Sequence, residues 1–244
     1  LKRNSAVPKN EFVREELDAR VLGFEAACIT RYDRTPIRPI TNGRQTKPVG
    51  RYYSLKNGGS APWESRNELR ALYHAEISTD VLTYRVQPHT LKFVIDGVAR
   101  SYTPDREEKL VGGQERVIEV KDAFEAENDP DYSEKLEHAH AVYRLSGKLF
   151  RIQERAEIEA RPLFDAVELI QGFRRTAVTV QDILLVQDKF SGHDVLPLGE
   201  VRDLFKSAPL GFAKLSAMMV RRILTLDLSH RLCSETSVRL VDHG

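Results

Sequence analysis

The sequence is poor in the features that mark specialised protein classes. It has only two cysteines, Cys28 and Cys233, too few and too far apart for a disulfide framework or a zinc-ligand set. A reducing, cytoplasmic setting is the expectation. No run of eighteen apolar residues occurs, so no membrane-spanning helix is expected. The opening stretch LKRNSAVPKNEFVREEL lacks the apolar segment of a secretory signal. A Gly-rich loop ending in Lys-Ser or Lys-Thr is missing too. Nucleotide hydrolysis by that route is therefore not expected, and any ATP-dependent control would come from a partner. Charge of one sign is not in excess: 37 basic residues face 36 acidic ones, for a net charge of +1.

What is present suits a globular chain of two modest domains. The 244 residues are 41% hydrophobic and 30% charged. Basic residues are unevenly placed. Arg31, Arg34, Arg38, Arg44, Lys47, Arg51 and Lys56 fall in a stretch whose one acid is Asp33, interleaved with glycine, proline and asparagine. This reads as an irregular basic arm able to neutralise phosphate oxygens, with Arg38, Arg44, Lys47, Arg51 and Lys56 as candidate DNA contacts. The preceding stretch EFVREELDARVLGFEAAC has helical character with mixed polarity.

After the arm, a helix is expected from near Trp63 to Ile77, because Leu69, Leu72, Tyr73 and Ile77 recur at helical spacing. Two hairpins follow, one turning at Asp96-Gly97 and one at Gly112-Gly113, and they predict a twisted antiparallel sheet. A helix over about Asp131–Ser146 and a strand in KLFRIQ complete an α/β core. Beyond it, helices are expected over Leu163–Phe173, Val180–Phe190, Leu198–Phe205 and Ala213–Leu226, with a final strand in LCSETSVRLV. Short helices followed by a small strand pair suggest a winged helix-turn-helix, with a helical bundle docked on the first domain as the alternative. The expected division is 1–59 for the N-terminal helix and basic arm, 60–160 for the α/β core and 161–244 for the C-terminal unit.

The chemistry concentrates in YTPDREEKLVGGQERVIEVK. In a strand, residues two apart share a face, so Glu119 and Lys121 point one way and Ile118 and Val120 the other. If the strand ending at Asp105 neighbours VIEVK, Asp105 and Glu119 converge at one sheet end. Two carboxylates there suit a hard cation such as Mg²⁺, which lowers the pKa of a bound water and neutralises phosphate charge. Lys121 would orient that water or stabilise developing charge. A third carboxylate comes from the helix, where Glu68 sits roughly 40° from Leu72 at the edge of the buried face. Glu76 lies within the apolar stripe and competes for that role. Glu64 reads as an N-terminal helix charge.

A helix with a flanking Glu, a hairpin, Pro-Asp, ExK, then helix and strand resembles the restriction-endonuclease-like PD-(D/E)xK nucleases. Within them, Glu68, Gln87-Pro88, Thr103-Pro104-Asp105, Glu119 and Lys121 resemble the TnsA-type endonuclease subunit of heteromeric transposases. EKLEHAHAVYRLSGKLFRI and the tail AMMVRRILTLDLSHRLCSETSVRL are similar to the same family, so the likeness covers about residues 45–240. The resemblance implies a mixed sheet flanked by helices and a winged-helix-like C-terminal domain. It implies Mg²⁺-dependent hydrolysis of double-stranded DNA at transposon ends, with Mn²⁺ able to substitute. Asp105, Glu119 and Glu68 would hold metal, Lys121 would act on water, and Gln87 would assist. A DDE-type transposase is the implied partner, with an ATP-dependent transposition regulator as a further one. The alternatives are a weakened nuclease fold that only binds DNA or transposase, and a related nuclease of repair or phage restriction. REEK departs from the family's apolar strand after the aspartate, and predicts either an exposed edge strand or a distorted site. His138 and His140, on different helix faces, read as surface residues, and Trp63 as a packing anchor.

Overall fold

The structure is a computed structural model and describes residues 11–32, 48–123 and 129–242. Strands β1 (Glu11–Leu17) and β2 (Ala26–Tyr32) form an antiparallel pair, so that β1 and the start of β2 replace the helical character expected up to Cys28. Between them the chain makes one 3-10 turn that ends on Gly23 at φ +84°, a left-handed conformation that suits glycine and stops a helix. The pattern alone was compatible with either periodicity. Distant partners decide it: Ala27 faces Phe93 and Ile29 faces Leu91 across the sheet, and all four are buried.

A second hairpin, β3 (Gly50–Ser54) and β4 (Gly59–Trp63), occupies the end of the expected irregular arm. Helix α1 (Arg66–Ile77) follows, capped by the Ser65 hydroxyl, which accepts from Glu68 N–H. Then come β5 (Val81–Val86), β6 (His89–Ile95), β7 (Val98–Tyr102), β8 (Arg106–Leu110) and β9 (Glu115–Lys121). Asp96 and Gly97 both take positive φ, as do Gly112 and Gly113, so both expected hairpins form.

They do not form one sheet, however. β6 and β7 join the first pair in the order β1-β2-β6-β7, while β8 and β9 belong to a mixed sheet ordered β10-β9-β8-β5. Strand β10 (Leu149–Glu154) runs parallel to β9, and α2 (Pro130–Leu145) makes the crossover such a pair requires. Leu136, Ala139, Val142 and Tyr143 of α2 share a core with Ile29, Leu91, Phe93, Tyr102 and Val117. On α1, Leu72 and Ala75 pack with Tyr52, Val81 and Tyr84.

REEK is not at an edge, and of its four residues only Lys109 is exposed. Strand β8 lies between β9 and β5, and Arg106, Glu107 and Glu108 are buried. Their charges are paired: Glu107 accepts from Arg31 at 2.6 Å, and Glu108 bridges Arg106 at 2.9 Å and Arg116 at 2.6 Å. An ionic strand can sit inside because each charge has a partner and hydrogen bonds.

After a short helix α3 (Arg155–Ile158), helices α4 (Leu163–Phe173) and α5 (Val180–Lys189) match expectation. Strand β11 (Leu196–Pro197) and helix α6 (Leu198–Arg202) lead into α7 (Ala208–Val220). Helix α7 starts earlier than expected, because Ser207 caps it and Pro209 lies in its first turn. It also ends earlier, since Arg222 takes φ +60° and Leu224–Leu226 is strand β12. Strand β13 (Ser237–Leu240) lies between β11 and β12 in a small sheet. The architecture is mixed α/β, and among the described residues no helix is long and apolar enough to cross a membrane.

Candidate functional site

A cleft of about 630 Å³ opens between the start of α1 and the ends of β8 and β9, and Glu68, Asp105, Glu119 and Lys121 all line it. Register explains the meeting. Arg106 pairs with Ile118, so the residue before it, Asp105, falls beside Glu119 and Val120. Asp105 sits in the crossing between β7 and β8, not at a hairpin strand's end. Its Oδ2 accepts from Val120 N–H at 2.7 Å. Its carbonyl accepts from Gln87 N–H at 2.9 Å.

Part of Asp105 stays open to the cleft, yet the protein atoms around its carboxyl withdraw it from water. Burial, then the carboxylates of Glu119 and Glu68, push its pKa up to about 8, against a smaller lowering by Val120 N–H and Lys121. Glu68 is half-buried and its Oε2 accepts from Glu64 N–H at 2.8 Å. Burial raises its pKa as well, aided by Glu64 and Glu119. Five acidic side chains, Glu64, Glu68, Asp105, Glu119 and Asp122, therefore line one cleft against Arg66 and Lys121, and the crowding is relieved by a proton on Asp105.

Glu119 is 5% exposed. Its Oε2 accepts from the Tyr102 hydroxyl at 2.7 Å, and its Oε1 accepts from the Tyr132 hydroxyl at 2.5 Å and the Lys121 ammonium at 2.9 Å. Lys121 Nζ also stands 4.2 Å from the centre of the Tyr132 ring. Glu119 and Lys121 share a face, as the strand period requires. That face carries core as well, because Val117 is buried on it, while Val120 opposite is only half-buried.

Hard oxygen donors in a cleft short of positive charge fit Mg²⁺ or Mn²⁺. The three-carboxylate set of Glu68, Asp105 and Glu119 is not assembled as a cage, however. Among the described residues no group of three or more His, Cys, Asp or Glu side chains is arranged to hold a metal ion. Mg²⁺ does not require such a cage, since one or two carboxylates with water and phosphate oxygens commonly fill its shell.

The other expected residues are dispersed. Gln87 is buried at φ +44° and does not line the cleft; its backbone steadies Asp105. Glu76 is fully buried, accepting from Ser54, Tyr84 and the Leu55 and Lys56 N–H groups, so it anchors the β3–β4 turn and leaves the carboxylate role to Glu68. Lys56 donates to the carbonyls of Ser78 and Val81, and burial lowers its pKa to about 8. It is an internal tie rather than a phosphate contact. Arg51 is exposed on β3, whereas Arg38, Arg44 and Lys47 lie outside the described residues. Glu64 precedes α1 instead of lying in its first turn. His138 is not a surface residue, since its ring packs edge-on against Phe24 and Phe93. Trp63 packs partly buried in the α1 core, as expected.

Tyr102 and Tyr132 were missed. Tyr102 ends β7 just before Thr-Pro-Asp, and Tyr132 sits in the first turn of α2. Neither position carries a periodicity that signals a hydroxyl aimed at Glu119. No protein-family model matches this chain, and no curated protein matches it.

Proposed function

We propose that this chain is a Mg²⁺-dependent DNA endonuclease, the cutting subunit of a heteromeric transposase. The observation that carries this reading is the convergence of Asp105, Glu119, Lys121 and Glu68 on one cleft, with the Asp105 carboxyl held far above its ordinary pKa. Asp105 and Glu119 would hold the cation and Glu68 would face it across the cleft. When bound, the cation would supply a water of lowered pKa and neutralise charge on the scissile phosphate. Lys121, kept beside Glu119, would orient the attacking water and steady the developing negative charge. Mn²⁺, with the same preference for oxygen donors, would substitute.

Supporting features lie in the surrounding architecture. A helix, three antiparallel strands, a crossover helix and a parallel strand agree with a restriction-endonuclease-like core. The order β11, α6, α7, β12, β13 agrees with a winged-helix-like C-terminal unit. Double-stranded DNA would approach over β3, where exposed Arg51 and Tyr53 point outward and Arg175 lies 5.6 Å from the Tyr53 ring. A DDE-type transposase would join the strands, and an ATP-dependent regulator would license the cut.

A second reading is favoured by one observation. With no three-ligand metal cluster among the described residues, the chain would be a nuclease fold that only recruits DNA or transposase. One experiment separates the two. The protein, with its partner transposase and end-containing DNA, should nick only with Mg²⁺ or Mn²⁺, and Asp105→Ala should lower the rate at least ~100-fold. Unchanged nicking by a folded Asp105→Ala protein would remove the endonuclease reading. DNA binding without metal-dependent cleavage would establish the recruiting one.

A further inference from the structure

Glu119 is held more firmly than a surface carboxylate needs to be. Its donors come from three elements: Tyr102 from β7, Tyr132 from α2 and Lys121 from its own strand. The Tyr102 ring is fixed by edge contacts with Tyr143 and Phe150, with ring centres 6.3 and 6.2 Å away. A phenylalanine would serve that packing equally well. The hydroxyl is what reaches Glu119, and a donor to an ionised acceptor makes one of the stronger hydrogen bonds.

Each carboxylate oxygen offers two lone pairs. Oε1 accepts from both Tyr132 and Lys121 and is full. Oε2 accepts from Tyr102 and keeps one lone pair. We propose that Tyr102 and Tyr132 are positioning residues that hold the Glu119 carboxylate in place as a cation ligand and keep the Lys121 ammonium beside it at the cleft. The inference rests on the nuclease reading of that cleft. It accounts for the position of Lys121, 2.9 Å from Oε1 and 4.2 Å from the ring centre, where ion pairing and cation–π attraction act together. Lys135 lies 4.6 Å from the same ring, so two ammonium groups contact Tyr132.

Outer-shell partners of metal ligands commonly contribute a factor of about 10–100 to affinity. The test is a Mn²⁺ titration of the full chain by calorimetry, with the electron paramagnetic resonance spectrum of the bound ion as second readout. Wild type should bind Mn²⁺ in the cleft and Asp105→Ala should not. Tyr102→Phe and Tyr132→Phe should each weaken binding about 10- to 100-fold and alter the spectrum of the bound ion. Their rings should keep their packing, while loss of a hydrogen bond to a buried carboxylate should lower the melting temperature modestly, more for Tyr102→Phe than for Tyr132→Phe. Tyr132, half-exposed at the start of α2, is the variant least able to disturb folding. Wild-type affinity and an unaltered spectrum in both phenylalanine variants, with Asp105→Ala still defective, would overturn this inference and leave the nuclease reading standing. If wild type binds no Mn²⁺, the nuclease reading falls and takes the inference with it.

Discussion

Asp105 holds a proton in the folded chain at a pH where the unfolded chain has released it. Its folded pKa stands at about 8, raised by burial and by Glu119 and Glu68, against an ordinary carboxyl value of about 3.9. Between those values the native state binds more protons than the unfolded state, so this group's contribution to stability falls as pH rises. Other groups slope the opposite way at lower pH. His89 is held down to about 3 by burial, and Glu107 is lowered to about 2, where burial is the largest single effect and raises it but Arg31, His89 and Lys148 together outweigh it. Above about pH 6.5, the ordinary value for histidine, those two are spent and Asp105 dominates. Asp105→Asn should therefore gain stability relative to wild type between pH 6.5 and 8 in metal-free buffer, while matching it near pH 4. Thermal unfolding of both proteins across that range checks this. A constant difference in melting temperature would mean that Asp105 ionises normally and that the carboxylates do not crowd one another.

Strand β8 shows what interior charge demands of the rest of the fold. Glu108 is 1% exposed and is shared by Arg106, itself 3% exposed, and Arg116. Removing it strands a buried guanidinium, so Glu108→Ala should cost about 3–5 kcal/mol in urea unfolding. Pairing Glu108→Leu with Arg106→Met should recover most of that, since an apolar pair of similar volume avoids the desolvation of both ions. A loss under about 1 kcal/mol for Glu108→Ala would show that water reaches Arg106 and that the strand is not truly interior. The same strand marks the limit of what a sequence discloses. The turns at Asp96-Gly97 and Gly112-Gly113 were legible because their conformation is a property of those two residues, and the shared face of Glu119 and Lys121 because it follows from strand period. REEK was misread because its partners, Arg31, Arg116 and Lys148, come from three other places in the chain. β1 and the first residues of β2 were misread as helix for the same reason, since Ala27 finds Phe93 more than sixty residues on. The hydroxyls of Tyr102 and Tyr132 were invisible until the sheet and α2 brought them together.

At the scale of the whole molecule, α1 joins two bodies of structure. Its N-terminal turn presents Glu68 to the cleft, its middle packs Leu72 and Ala75 against the β3–β5 side, and its last residue, Ile77, sits in the core of the C-terminal unit with Val167, Leu215 and Met218. Polar ties reinforce the junction. Tyr52 donates to Gln171 at 2.8 Å, Gln171 donates to the Tyr73 carbonyl at 3.1 Å, and Arg222 donates to the Thr79 carbonyl at 2.7 Å. With apolar core and buried hydrogen bonds spanning the junction, residues 60–160 and 161–244 should unfold together rather than as independent domains. Ile77→Ala should lower stability by about 2–5 kcal/mol, the usual cost of truncating a buried aliphatic side chain. Calorimetry should show one transition, shifted as a whole. Two transitions, with Ile77→Ala moving only one, would mean that the C-terminal unit merely rests on the first.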